Sequence, residues 1–151
     1  MDGETARLRR GLLDTISALK DTGARIWIMR QVPQHRWNVP NALAYAVWHG
    51  GNPEELGVPL TEQREASRLV DPIFEGLATE FPGVTVLDPT ELFVRPKAKN
   101  LCRVAEGGKA LYCDTAHLTV AGAMLLRPLF EPIFRGMGKA PAPVPDVSHH
   151  H

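Results

Sequence analysis

Serine is scarce in this chain: Ser17, Ser67 and Ser148 are the only three in 151 residues. Ser17 sits in "TISAL" and Ser67 in "EASRL", both inside helical patterns, and Ser148 falls close to the end. None has the exposed strand-to-helix turn that a nucleophilic serine requires. Cysteine is scarcer still. Cys102 and Cys113 stand alone, with no C-x-x-C and no H-x-x-x-H spacing, so a metal centre is not expected. Charge of one sign is missing too: 17 Lys and Arg balance 17 Asp and Glu. No net field therefore points to nucleic acid or an anionic membrane. The one small cluster, Arg7, Arg9 and Arg10, reads as a solvated helix face. No apolar run approaches the roughly 18 residues of a membrane span. The opening "MDGETARLRR" lacks the apolar core of a signal peptide, which by itself would leave a soluble chain in the cytoplasm.

What is present is an ordinary globular composition, 44% apolar and 23% charged, in one domain's length of chain. Leu8, Leu12, Ile16 and Leu19 mark one stripe of a helix over 4–22, and Gly23 suits the left-handed position after it. "RIWIMRQV", 25–32, carries apolar residues on both parities, as a strand covered on both faces does. Pro33 ends it, and an irregular excursion to Leu60 follows with a short helix expected over 41–48 and a tight turn at "GGNP". Thr61 is placed to cap a second long helix to about residue 80, with Pro72 kinking or breaking it. "GVTVLDP", 83–89, reads as a second strand. Thr119 caps a last helix to about 135, bent at Pro128 and Pro132. Helix, strand, helix, strand, helix is an α/β order with a parallel sheet, but two strands make a poor sheet. The ordered domain is expected over 4–138. Residues 139–151, Pro/Ala-rich with terminal histidines, read as a flexible tail and are set aside.

The chemistry concentrates in "LYCDTAHLTVAGA", residues 111–123. Asp114 precedes His117 by three residues in a turn before a capped helix. A carboxylate so placed can fix the tautomer of an imidazole and stabilise its protonated form, leaving the histidine as general base. On spacing alone the plainer reading, two polar residues of a turn, is favoured. Cys113 is a poor alternative nucleophile, because the negative charge of the adjacent Asp114 disfavours a thiolate. If Gly107 and Gly108 form a two-residue hairpin turn, Glu106 faces Lys109, Val104 faces Leu111 and Cys102 faces Cys113, within disulfide reach. Two free thiols are the alternative. Trp37, beside His35 at the end of the first strand, is the candidate for substrate contact, and His35 accompanies it.

"RIWIMRQVP" leading into "VPNALAYAV", then "VTVLDPTELF", then "CRVAEGGKALYCDTAHLTVAGA" resemble, in that order, the C-terminal SGNH domain that follows the membrane part of bacterial acyltransferase-3 proteins. The likeness runs from Ala24 to Leu129. It implies a three-layer, flavodoxin-like α/β sandwich and O-acyl transfer or ester hydrolysis on cell-surface glycans, without a cofactor, outside the cytoplasm. Asp114 and His117 match the family's D-x-x-H, the Asp and His of a Ser-His-Asp triad. The family's Gly-Asp-Ser nucleophile block, its oxyanion-hole Gly and Asn blocks and its first strands have no counterpart here. The expectation is therefore a domain truncated at its N-terminus, carrying the Asp-His pair without its serine. Its partners would be an acyl donor, a glycan acceptor, and the missing N-terminal segment or the membrane acyltransferase domain. A non-catalytic remnant or binding module, and one half of a split esterase, stay open beside it.

Overall fold

The computed structural model describes residues 3–95 and 100–137; the expected tail lies outside them. The α/β order holds. Helix α1 (Gly3–Lys20) leads through a turn at Gly23, whose φ of 73° is cheap only without a Cβ, into strand β1 (Ile26–Met29). After α2 (Val39–Trp48) and a single turn of tighter helix at Pro53–Glu55 come β2 (Gly57–Pro59), α3 (Leu60–Ser67) and α4 (Asp71–Glu80). Strand β3 (Val84–Leu87) pairs parallel with β1, Ile26 opposite Val84 and Met29 opposite Leu87. Then follow α5 (Thr90–Phe93), β4 (Val94–Arg95), β5 (Leu101–Arg103), the hairpin β6 (Ala105–Glu106) and β7 (Lys109–Ala110), and finally α6 (Val120–Leu125) and α7 (Arg127–Met137). Among the described residues no helix is long and apolar enough to cross a membrane.

Three buried apolar clusters form among the described residues, the smallest of them Val58, Leu60 and Cys102. Ile16 of α1, Ile73 and Leu77 of α4 and Val84 of β3 are buried together, with Ile26 and Ile28 of β1 against them. That cluster covers one face of the parallel pair. On the other parity Met29 is 41% exposed, Trp27 is half-buried and Thr85, opposite Trp27, is exposed, so the two-sided burial expected for β1 is not what these residues form. The apolar run had no way to say which of its faces has a neighbour. The second core gathers Val32, Val39, Phe93, Val104, Leu111, Tyr112 and Leu126 beneath the turn that carries Asp114 and His117.

Three local expectations change. The long helix over 62–80 is two helices, ending at Ser67 and restarting at Asp71. Pro72 falls in the first turn of the second, where its missing N–H is not needed. Thr61 caps nothing: α3 starts at Leu60, preceded by Pro59, without a side-chain cap. The last helix divides at Leu126, before Pro128, and Pro132 lies inside α7.

The hairpin forms as expected, with Glu106 opposite Lys109 and the Leu111 N–H donating to Val104 O at 2.8 Å. The pairing does not extend to the cysteines. Cys102 is drawn into a three-stranded sheet, opposite Val58 of β2 on one side and Val94 of β4 on the other. It is buried there and Cys113 is exposed; both thiols are free, so the expected Cys102–Cys113 bridge is not formed. The hairpin register extrapolated past Val104, where the chain switches sheets.

Candidate functional site

The turn that carries the dyad is closed by its own backbone. The Cys113 N–H donates to His117 O at 2.9 Å, and Tyr112 bridges to Leu118 beside it. Inside this loop Asp114 Oδ1 accepts the N–H groups of Ala116 and His117, both at 2.7 Å. That is the turn aspartate favours: a short carboxylate captures amides two and three residues on. The second oxygen, Oδ2, lies 2.6 Å from Nδ1 of His117. With Nδ1–H given to the carboxylate, the imidazole keeps its lone pair on Nε2, and the side chain is 82% exposed. Sequence spacing left open whether Asp114 reaches His117. It does.

The backbone bonds from Ala116 and His117, with the His117 side chain, hold the Asp114 carboxyl down at about 2. It stays ionised through the mildly acidic range and keeps orienting the ring there. The loop is moored on two sides. His35 N–H donates to Thr115 O at 2.9 Å and Val39 N–H to Asp114 O at 3.2 Å, tying it to the segment before α2. On the other side Thr119 N–H donates to Leu111 O at 3.0 Å. Its hydroxyl donates to Ala110 O at 2.7 Å and accepts the Gly122 N–H at 3.2 Å, capping α6. Removing that hydroxyl loses a cap and a partly buried bond together. Thr119→Ala is expected to destabilise the fold by about 1–2 kcal/mol in urea unfolding, and Thr119→Ser to retain most of the stability.

No hydroxyl reaches the His117 ring among the described residues. Ser17 is exposed on α1. Ser67 ends α3, where its hydroxyl bonds Arg64 O at 3.2 Å and Asp71 Oδ2 at 3.0 Å. Cys113 Sγ lies 3.3 Å from the carbonyl oxygen of His117, not from its ring. Nor do the described residues hold a cluster of three or more His, Cys, Asp or Glu side chains suited to a metal ion.

His35 and Trp37 are brought together, ring centroids 5.3 Å apart, but as part of the wall under the loop. His35 is only 5% exposed and meets Tyr112 edge-on at 4.7 Å, while Trp37 is half-buried against the second core. Burial pushes the His35 imidazole down to about 4. The unfolded chain therefore takes up this proton first. Stability is complete above the ordinary histidine value near 6.5 and declines as pH falls from there towards about 4, by on the order of 2 kcal/mol. Denaturant unfolding measured across that window should show the decline in the parent protein and a flatter profile in His35→Phe.

Sequence reading missed the supports of this site. Gly122 is buried where α6 crosses the Leu111 carbonyl, and a Cβ there would lie far closer to that oxygen than van der Waals contact allows. Arg95 binds the carboxylate and carbonyl of Glu54 and donates to Ala105 O at 3.1 Å, fastening the hairpin to the turn after α2. A glycine inside a helical pattern was the signal available for Gly122. Nothing local pairs Arg95 with Glu54, 41 residues away.

A family model described as "SGNH domain (fused to AT3 domains)" matches residues 2–132. Neither a curated protein nor a solved structure matches the chain.

Proposed function

Since the chain belongs to the family of SGNH domains found fused to AT3 domains, we propose that it serves acyl-ester chemistry as the part carrying the base and its orienting carboxylate. The observation that supports this most is the 2.6 Å contact between Asp114 Oδ2 and His117 Nδ1, with Nε2 turned to solvent. His117 Nε2 accepts the proton of an attacking hydroxyl and returns it to the leaving oxygen; Asp114 holds the ring and balances the imidazolium formed between. The hydroxyl comes from outside residues 3–137: from a further segment, from a second polypeptide, or from the acceptor itself. The acyl group then passes to a hydroxyl of a cell-surface glycan, or to water, without a cofactor, in an extracytoplasmic compartment.

A second reading has its own support. Ser17 and Ser67 both sit on helices away from the His117 ring, as they would in a binding module whose dyad only shapes a turn. Acyl-ester turnover by the protein as its gene encodes it separates the two. Turnover that disappears in His117→Ala upholds the first; turnover indifferent to His117, or none with any acyl donor, upholds the second.

A further inference from the structure

His35 is the buried titratable group that the dyad chemistry leaves unused. Both its ring nitrogens are sealed from solvent, and neither has a hydrogen-bond partner in the protein. Tyr112, wholly buried, meets the ring edge-on, and its hydroxyl is unbonded as well. Two unbonded polar groups side by side make a costly seat, and such a cost usually has an explanation in function. What rests on this seat is the dyad loop. Tyr112 directly precedes its turn, and the His35 N–H holds the loop by Thr115 O at 2.9 Å. The ring and the mooring belong to one residue, so the ring cannot move far without straining the bond that holds the loop.

The seat suits only the neutral ring. A charged imidazolium needs two acceptors, and the surrounding elements have none to give. In the dyad loop the oxygens of Asp114 are taken by Ala116 and His117. On α3, Glu62 is taken by Arg36 at 2.9 Å. After β1, Arg30 lies between Asp71 and Asp88 and would repel a second cation. Helix α2 carries no charged residue, and Trp37 and Tyr112 present rings. Burial alone accounts for the lowered proton affinity of His35, with no carboxylate opposing it.

We infer that the dyad loop, residues 112–119, is an acid-released element: when His35 takes up a proton its ring leaves the seat, the Thr115 mooring breaks, and the Asp114–His117 pair moves off with the loop. The cluster of Ile16, Ile73, Leu77 and Val84 holds no part of this seat and stays closed. The sign follows from linkage. The open form binds the proton near the ordinary histidine value of about 6.5 and the closed form only near 4, so opening gains population as pH falls between them. Asp114, held at about 2, stays ionised across that window. The device sets where the dyad is available, and it operates whether or not the dyad turns over an ester.

The test is amide hydrogen exchange of the full chain, followed by NMR and corrected for the intrinsic pH dependence of exchange. The reporters are the His35 and Val39 amides, which hold the loop at Thr115 and Asp114. Their opening should rise roughly five- to tenfold for each pH unit between about 6 and about 4. The Ile26 and Arg30 amides, bonded to Gly83 and Leu87 across the parallel pair, should stay closed by comparison. The rise should vanish in His35→Phe and persist in His117→Ala. An opening independent of pH, an equal rise at Ile26 and Arg30, or an unchanged rise in His35→Phe would overturn the inference. If His35→Phe does not fold, the parent decides: opening must track the titration of the His35 ring protons, and opening that ignores it overturns the inference equally.

Discussion

Gly122→Ala is expected to destabilise the protein by about 2 kcal/mol, although alanine is favoured over glycine inside helices by about 1 kcal/mol. The sign is what matters. Gly122 lies in α6 against the Leu111 carbonyl, a backbone group that cannot swing aside as the end of a side chain would. To admit a Cβ the helix must back away, and it takes with it the Thr119 N–H that bonds the same carbonyl. Between Leu111 and Thr119 runs the whole dyad loop, so the cost extends to the position of His117. Gly76 in α4 is the control, since a Cβ there meets nothing within 4 Å. Gly76→Ala is expected to stabilise by up to about 1 kcal/mol. Paired denaturant unfolding of the two variants should give opposite signs. Two stabilised variants would mean that α6 does not press on the hairpin as described.

The second large effect is chemical. Asp114→Asn should lower acyl-ester turnover on the order of 10⁴-fold in the protein as its gene encodes it, while barely changing its thermal midpoint. An asparagine Oδ1 can still accept the N–H groups of Ala116 and His117, so the turn survives. What is lost is the charge on the oxygen facing Nδ1, and with it the tautomer that leaves Nε2 free to accept a proton. Asp114→Ala loses the turn as well and should fall in both activity and stability. Equal activity in Asp114→Asn and the parent would remove the carboxylate from the mechanism.

Much of this was legible wherever neighbours in sequence decide the outcome. The helical spacing and the glycine after it mark α1, although of its stripe only Leu12 and Ile16 pack inward and Leu8 and Leu19 are exposed; Gly107–Gly108 fixes the Glu106–Lys109 register; Thr119 caps its helix. The Asp114–His117 pair belongs here too, because a three-residue separation inside one turn is a local matter. What escaped depends on distant chain. Cys102 lies just before the hairpin in sequence, yet it pairs with β2 and β4 instead, which no pattern around residue 102 announces. The burial of His35 follows from a loop eighty residues later, whose Thr115 carbonyl takes its N–H. The division of the second long helix between Ser67 and Asp71 was half-visible in Pro72, but a proline in a helical pattern does not say whether it kinks or restarts the helix.

On the proposed function, His117 activates a hydroxyl supplied from outside residues 3–137. Acyl trapping tests it most directly: the protein as its gene encodes it is mixed with an activated acyl ester, quenched, and its peptides are mapped by mass spectrometry, in the parent and in His117→Ala. Any acyl adduct formed with the parent is expected outside residues 3–137 and is expected to be lost in His117→Ala. An adduct on Ser17, Ser67 or Cys113 that depends on His117, or acylation undiminished without His117, would contradict it.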